Sequence, residues 1–225
     1  MELLHYFDYR FNPTQPKKAK KLPFITISRK TGCDGIRIAK LLVKEFKSLG
    51  EQWKYIDKEI LNDSAKKLKL NKSQVSYIFE AELKTHADEI LSALSSRYYK
   101  SDKTVRKTVA DVVKHYAKDG RVIIVGRGGA PITSDMKYGV NVRLDAPISW
   151  RIESLMKRRN SSHAKIETFI KDTDVKREKL LAYFCNKAPG DMCFDLTINC
   201  AKYTPKEIVA IILNIMKQKQ LIKDS

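Results

Sequence analysis

The chain is poor in acid, poor in cysteine and without long apolar runs, and each shortage excludes something. Against 44 lysine and arginine residues stand 26 aspartate and glutamate residues, a formal charge of +18. A field of that sign favours polyanions, whether nucleotides, nucleic acid or an anionic membrane face. The four cysteines are Cys33, Cys185, Cys193 and Cys200. No two stand at Cys-x-x-Cys spacing and His163 belongs to no zinc pattern, so thiols in a reducing compartment are expected, with no structural metal. No apolar run approaches membrane-spanning length. The opening MELLHYFDYRFNPTQPKKAKK has no apolar stretch of signal-peptide kind. The expectation is therefore a cytoplasmic protein with no membrane partner. A regular phosphate loop, G-x-x-x-x-G-K-[ST], is missing as well, and no internal repeat is evident.

What is present suffices for one α/β domain. There are 225 residues, of which 43% are hydrophobic. Residues 1–22 read as an arm, broken by Pro13 and Pro16 and closed by Lys17, Lys18, Lys20 and Lys21. Residues 23–225 read as a single domain. Five short β-branched or alternating runs are expected as strands: PFITISR, QWKYID, RVIIVG, YGVNVRLD and FDLTIN. Between them the apolar period is helical. Ile38, Leu41, Leu42, Phe46 and Leu49 share one face of a helix that stops at Gly50. Thr204 with Glu207 is a capping-box pattern, and Pro205 suits the first helical position. From Asp57 to Lys118 the pattern is helical and highly charged. It includes a stripe of Tyr77, Phe79, Leu83, Ile90 and Leu94, which packs within the chain or against a second subunit.

Strands separated by helices predict a parallel sheet with helices on both faces. Ligands then lie at the carboxyl ends of the strands, so the residues there carry the chemistry. After the first strand comes SRKTGCDGIR, whose Gly32 and Gly35 permit a tight turn, with a helix N-terminus behind it. After the second comes Asp57, fit to hold a hydroxyl, a guanidinium or a metal-bound water, or to cap the next helix. After the third comes GRGGAPIT, in which Arg127 lies among glycines, suited to bidentate phosphate contact or to a structural ion pair. Beyond the fourth, Arg151 and Arg158 share a helical face with Ser154 and Leu155, and Asp174 and Arg177 are neighbours on a later helix.

The segments ITISR..G..G..IA..L, YIDKEIL, VIIVGRGGA.IT, VRLDAP..WRIE, D..R and FDLTIN occur in this order. Together they resemble the cytidylate kinase-like family, a branch of the P-loop nucleoside monophosphate kinases, over about Pro23 to Met216. The resemblance implies a three-layer P-loop kinase fold with a five-stranded parallel sheet, a helical insertion on the monophosphate side (57–118) and a lid (151–187). It implies transfer of the γ-phosphoryl of ATP, with Mg2+, to a nucleoside monophosphate of CMP type or a similar small acceptor. By position it implies that Ser28, Arg29, Gly32, Cys33, Asp34, Gly35, Ile36 and Arg37 cradle the donor phosphates. Asp57, Arg127 and Gly128 would meet the acceptor. Arg37, Arg127, Arg151, Arg158, Asp174 and Arg177 would act on the transferring group.

The departures from the family pattern are specific. Gly35 stands where a phosphate-loop lysine belongs and Ile36 where the Mg2+-binding hydroxyl belongs, which is general in the branch; Arg37, one turn along, is the expected substitute. Asp34 replaces a glycine, and Gly128 replaces the aspartate of a GRD motif. A carboxylate about 4 Å from a phosphate oxygen is repelled by about 4 kcal/mol at an effective dielectric near 20. An inward Asp34 therefore favours a second reading, a kinase-fold protein that binds a nucleotide or nucleic acid without catalysis. The nucleotide kinase is the preferred reading of the two.

Overall fold

Phe24–Arg29 (β1) is the strand around which the molecule is built, because it alone is flanked by two long parallel partners. The computed structural model describes residues 22–69, 102–185 and 193–223. Val122–Val125 (β3) pairs with β1 on one side and Gly139–Asp145 (β4) on the other. Lys54–Ile56 (β2) and Leu196–Asn199 (β5) form the edges, giving the order β2-β3-β1-β4-β5, all parallel. The helices among the described residues are α1 (Gly35–Ser48), α2 (Lys58–Leu68), α3 (Asp102–Asp119), α4 (Gly129–Thr133), α5 (Ile148–Met156), α6 (His163–Phe184) and α7 (Pro205–Gln218). This is the expected P-loop kinase fold, with all five strands where the sequence pattern puts them. The arm, the apolar stripe of residues 77–94 and the end of the lid segment at 186–187 lie outside the described residues.

Strand side chains alternate between two cores, as a period of two requires. Ile25, Ile27, Ile123, Val125, Val140, Val142 and Leu144 point to one face. There they meet Ile38, Leu42 and Phe46 of α1 and Ile208, Ile212 and Met216 of α7. Phe24, Val122 and Ile124 point to the other, against Ile60 and Leu61 of α2 and Val105, Val109 and Val112 of α3. One expected contact fails. Leu49 is exposed, because α1 ends at Ser48 and Leu49 is its C-cap, off the helical face.

The strand order fixes where the site lies. The chain leaves β1 for β2, returns to β3 between them, then crosses over β1 to β4. The carboxyl end of β1 is thus the point where the winding reverses, the usual crevice in such sheets.

At the far end, Thr204 and Glu207 form the reciprocal capping box with Pro205 in the first turn. Thr204→Ala is expected to cost about 1 kcal/mol, read as a lower urea midpoint with an unchanged slope.

Candidate active site

The turn after β1 is held by side chains from α5 and α6. Asp174 of α6 accepts the Thr31 N–H at 2.7 Å and the Arg151 guanidinium at 2.5 Å. Arg151 also donates to the carbonyls of Thr31 (3.1 Å) and Ala146 (2.9 Å). Gly32, with φ of +103°, approaches so close that a Cβ there would lie 2.7 Å from the Arg151 Cβ. Only glycine fits. Ser154 and Arg158 donate to the Gly32 carbonyl at 3.0 and 2.7 Å. The shared face of Arg151, Ser154 and Arg158 is thus real, and it faces the turn.

Two expectations are corrected here. Arg151 and Asp174 were read as groups acting on the transferring phosphoryl. Both are buried, and their polar atoms go to each other, Thr31 and Ala146, so they build the turn instead. For Asp34 the expectation was conditional: only an inward carboxylate would repel phosphate. Its carboxylate accepts the Arg37 N–H at 3.1 Å, capping α1, and pairs with Arg158 at 2.9 Å. The aspartate is neutralised by the chain itself. Beside that pair opens a cavity of about 220 Å³ lined by Arg37, Trp150, Glu153, Ser154, Lys157 and Arg158.

On the inner side of the turn the carboxyl ends of β1, β2 and β3 bring Arg29, Asp57 and Arg127 together, and α6 adds Arg177. Arg177 donates to the Arg29 carbonyl and to Thr31 Oγ1, both at 3.1 Å. Arg127 lies 3.5 Å from Asp57, while its buried Nε has no hydrogen-bond partner among the described residues. Its backbone is left-handed at φ +55°, a conformation costly for a residue with a side chain and concentrated at functional sites. Gly126 is left-handed too, and a Cβ on it would sit 2.0 Å from Arg29 Nη1. Burial and then the neighbouring Arg177 pull the Arg29 pKa down to about 10, with Asp57 opposing them. Burial lowers that of Arg177, against the pull of Asp174. The cluster is a concentration of partly buried positive charge, with Asp57 among the arginines and Asp174 beside Arg177.

The remaining expected residues are placed as follows. Ser28 and Cys33 are buried, and Ile36 and Arg37 are exposed. The Cys33 thiol points into the core and is hydrogen-bonded to that of Cys200. This bond, with burial, pushes the Cys33 pKa well above the thiol range and lowers that of Cys200. Gly128 lies under the Phe184 ring at the end of α6. Asp57 occupies the N-cap position of α2 but makes no side-chain cap bond; it faces Arg127 instead.

Sequence reasoning missed the tie that holds α6 down. Glu178 accepts from Lys30 at 2.8 Å and from Arg143 at 2.7 Å. The signal was its place beside Arg177; its partners are distant in sequence and gave none.

A family model described as the cytidylate kinase-like family matches residues 24–202. The chain belongs to that family. No curated protein matches the chain. Among solved structures, an uncharacterized protein from Eubacterium ventriosum superposes with a TM-score of 0.61 at 16% identity, covering 88% of this chain and 99% of its own. Shikimate kinase from Bacteroides thetaiotaomicron gives 0.50 at 11% identity, covering 87% and 98%. These likenesses are of fold. The cytidylate kinase-like protein described here shares the P-loop kinase sheet with them.

Burial works upward on the Glu178 pKa, and the bonds from Lys30 and Arg143 outweigh it, leaving the carboxyl below its ordinary value. A depressed carboxylate stabilises the fold above its unfolded pKa, and that contribution is lost as pH falls through the folded one. Glu178→Gln is therefore expected to lower the melting temperature at neutral pH. The gap from wild type should close on acidification below the ordinary glutamate range.

Proposed function

We propose that this protein is a phosphotransferase that moves the γ-phosphoryl of ATP to a small phosphorylated acceptor of the nucleoside monophosphate type. The observation that carries this is the convergence of Arg29, Arg127 and Arg177 at the strand ends, with Asp57 as the single carboxylate facing Arg127. Phosphoryl transfer asks a protein for positioning and for charge neutralisation more than for covalent chemistry. Arginine serves both, because its fork meets two phosphate oxygens at once.

In this reading the acceptor phosphate meets the guanidinium of Arg127, whose Nε pairs with Asp57 at 3.5 Å and makes no hydrogen bond among the described residues. Asp57 orients Arg127 and accepts a hydroxyl of the acceptor. Arg177, already fixed on the turn by two hydrogen bonds, faces the charge that develops between donor and acceptor. The donor nucleotide enters beside Arg37, Trp150 and Arg158, where the cavity lies.

The residues present do not fit a protein-held Mg2+. Position 36 is isoleucine rather than a hydroxyl residue. Asp34 is committed to Arg158 and α1, and Asp57 to Arg127. No group of three metal-ligating side chains occurs among the described residues. Mg2+ would come with the nucleotide as a counter-ion of its phosphates, and no step is assigned to it here.

A second reading, nucleotide binding without turnover, is favoured by one observation: the Asp34–Arg158 pair closes the outer side of the turn with the chain's own charges. The two readings part in one assay. With ATP, Mg2+ and a panel of nucleoside monophosphates, ADP should form. Arg177→Ala should reduce kcat/KM by 100-fold or more, about 2.7 kcal/mol of transition-state stabilisation. ATP binding without ADP formation for any acceptor would leave the second reading.

A further inference from the structure

The family pattern puts Gly35 at the place of the phosphate-loop lysine, which leaves open what supplies its charge. Arg37, the nearest cation in sequence, is exposed and lines the outer cavity, while its backbone N–H is bound to Asp34. It lies on the wrong side of the turn. The space over Gly35 is instead filled from β1. A Cβ on Gly35 would stand 3.4 Å from Cδ and 3.6 Å from Cγ of Arg29, and 3.2 Å from Cγ2 of Ile27. Gly35 is buried at the first position of α1, and its backbone is not left-handed. A Cβ there would be tight only against Ile27 and in ordinary contact with the Arg29 stem. The Arg29 stem runs across it and carries the guanidinium on to Gly126, where the same absence of a Cβ makes room.

We propose that Arg29 delivers to the donor phosphates the charge that lysine delivers in loops ending G-K-[ST]. The inference rests on the phosphotransferase reading and names the residue that serves its donor side. A lysine in that motif reaches the β- and γ-phosphates from the start of the helix. Arg29 reaches the same crevice from the end of the strand, with its stem packed between Ile27, Gly35 and the β3 loop. Among the described residues its guanidinium donates no hydrogen bond. Its neighbours Arg127 and Arg177 carry the same sign, offset in part by Asp57 and Asp34, and a polyphosphate would add to that offset. Arg29 remains charged at neutral pH, its pKa being about 10. It also brings a planar fork in place of a point charge, which suits two oxygens of one phosphate.

The test reads binding of ATP and of inorganic pyrophosphate by calorimetry, with unliganded melting temperatures measured alongside. Arg29→Met should weaken both ligands by about 10- to 100-fold, the loss expected for charge-assisted hydrogen bonds. Its unliganded melting temperature should equal or exceed that of wild type, since a buried like charge has been removed. Arg29→Met/Gly35→Lys should recover most of the affinity by restoring the cation from the helix. A folded Arg29→Met that binds like wild type overturns the inference and leaves the phosphotransferase reading standing. A markedly lower melting temperature for Arg29→Met, or no recovery in the double variant, makes Arg29 structural and also overturns it. A wild type that binds neither ligand overturns both.

Discussion

Everything at the site hangs on the buried pair of Arg151 and Asp174. One carboxylate holds the Thr31 N–H and one guanidinium holds the Thr31 and Ala146 carbonyls, so the pair joins the turn after β1, the end of β4, α5 and α6. Both side chains are about nine-tenths buried. Removing either partner would strand a charge in the interior, at about 3–5 kcal/mol. Replacing both by apolar residues would be cheaper in stability but would leave three backbone groups of the turn unsatisfied. The pair is therefore better understood as a device for shape than as a source of stability. It sets the path of Thr31 and Gly32, and through Gly32 the approach of α5.

That path divides the turn into two unlike sides. Outside, Asp34 caps α1 and binds Arg158, so helix dipole, carboxylate and guanidinium neutralise one another. Inside, Arg29, Arg127 and Arg177 crowd around Asp57 with less than full compensation. A phosphate arriving from solvent meets a balanced rim and an unbalanced interior. The overall charge of +18 has little bearing on this contrast, since surface lysines separated by more than a Debye length are screened. Binding is decided by which few charges are desolvated together.

The fold was legible in the sequence because its signals are local. Strands of three to seven residues, helices with a 3.6 period and the Thr204–Glu207 box each declare themselves within a short window, and the order of motifs supplied the family. Leu49 shows the limit, since a periodic position past the last turn looks no different from one within it. The site was legible only in part. Its residues stand at strand ends, as the topology demands, so Arg127 and Asp57 were found. What each does depends on partners 23 to 148 residues away. Nothing near Arg151 or Asp34 in the chain announces Asp174, Arg158 or Thr31. An arginine that acts from a lid helix and an arginine that builds a turn read alike until the contacts are known.

The absent lysine is the point at which these threads meet. A phosphate loop needs a cation within reach of the phosphates, but nothing requires that it come from the helix. Here the helix begins with two residues that bring no charge, Gly35 and Ile36, and the residue before them is an acid already spent on Arg158. The strand ends in an arginine whose stem occupies the vacated space and whose charge is crowded by two others. Burial of Arg29 and the left-handed backbone at Arg127 are both costs to the free protein. Each would be recovered in part on binding an anion, because a phosphate charge about 4 Å from a guanidinium returns about 4 kcal/mol at an effective dielectric near 20. A chain that merely kept the fold would have no physical reason to retain both costs at the same crevice. Their coincidence at the carboxyl ends of adjacent strands is what an anion-binding function explains.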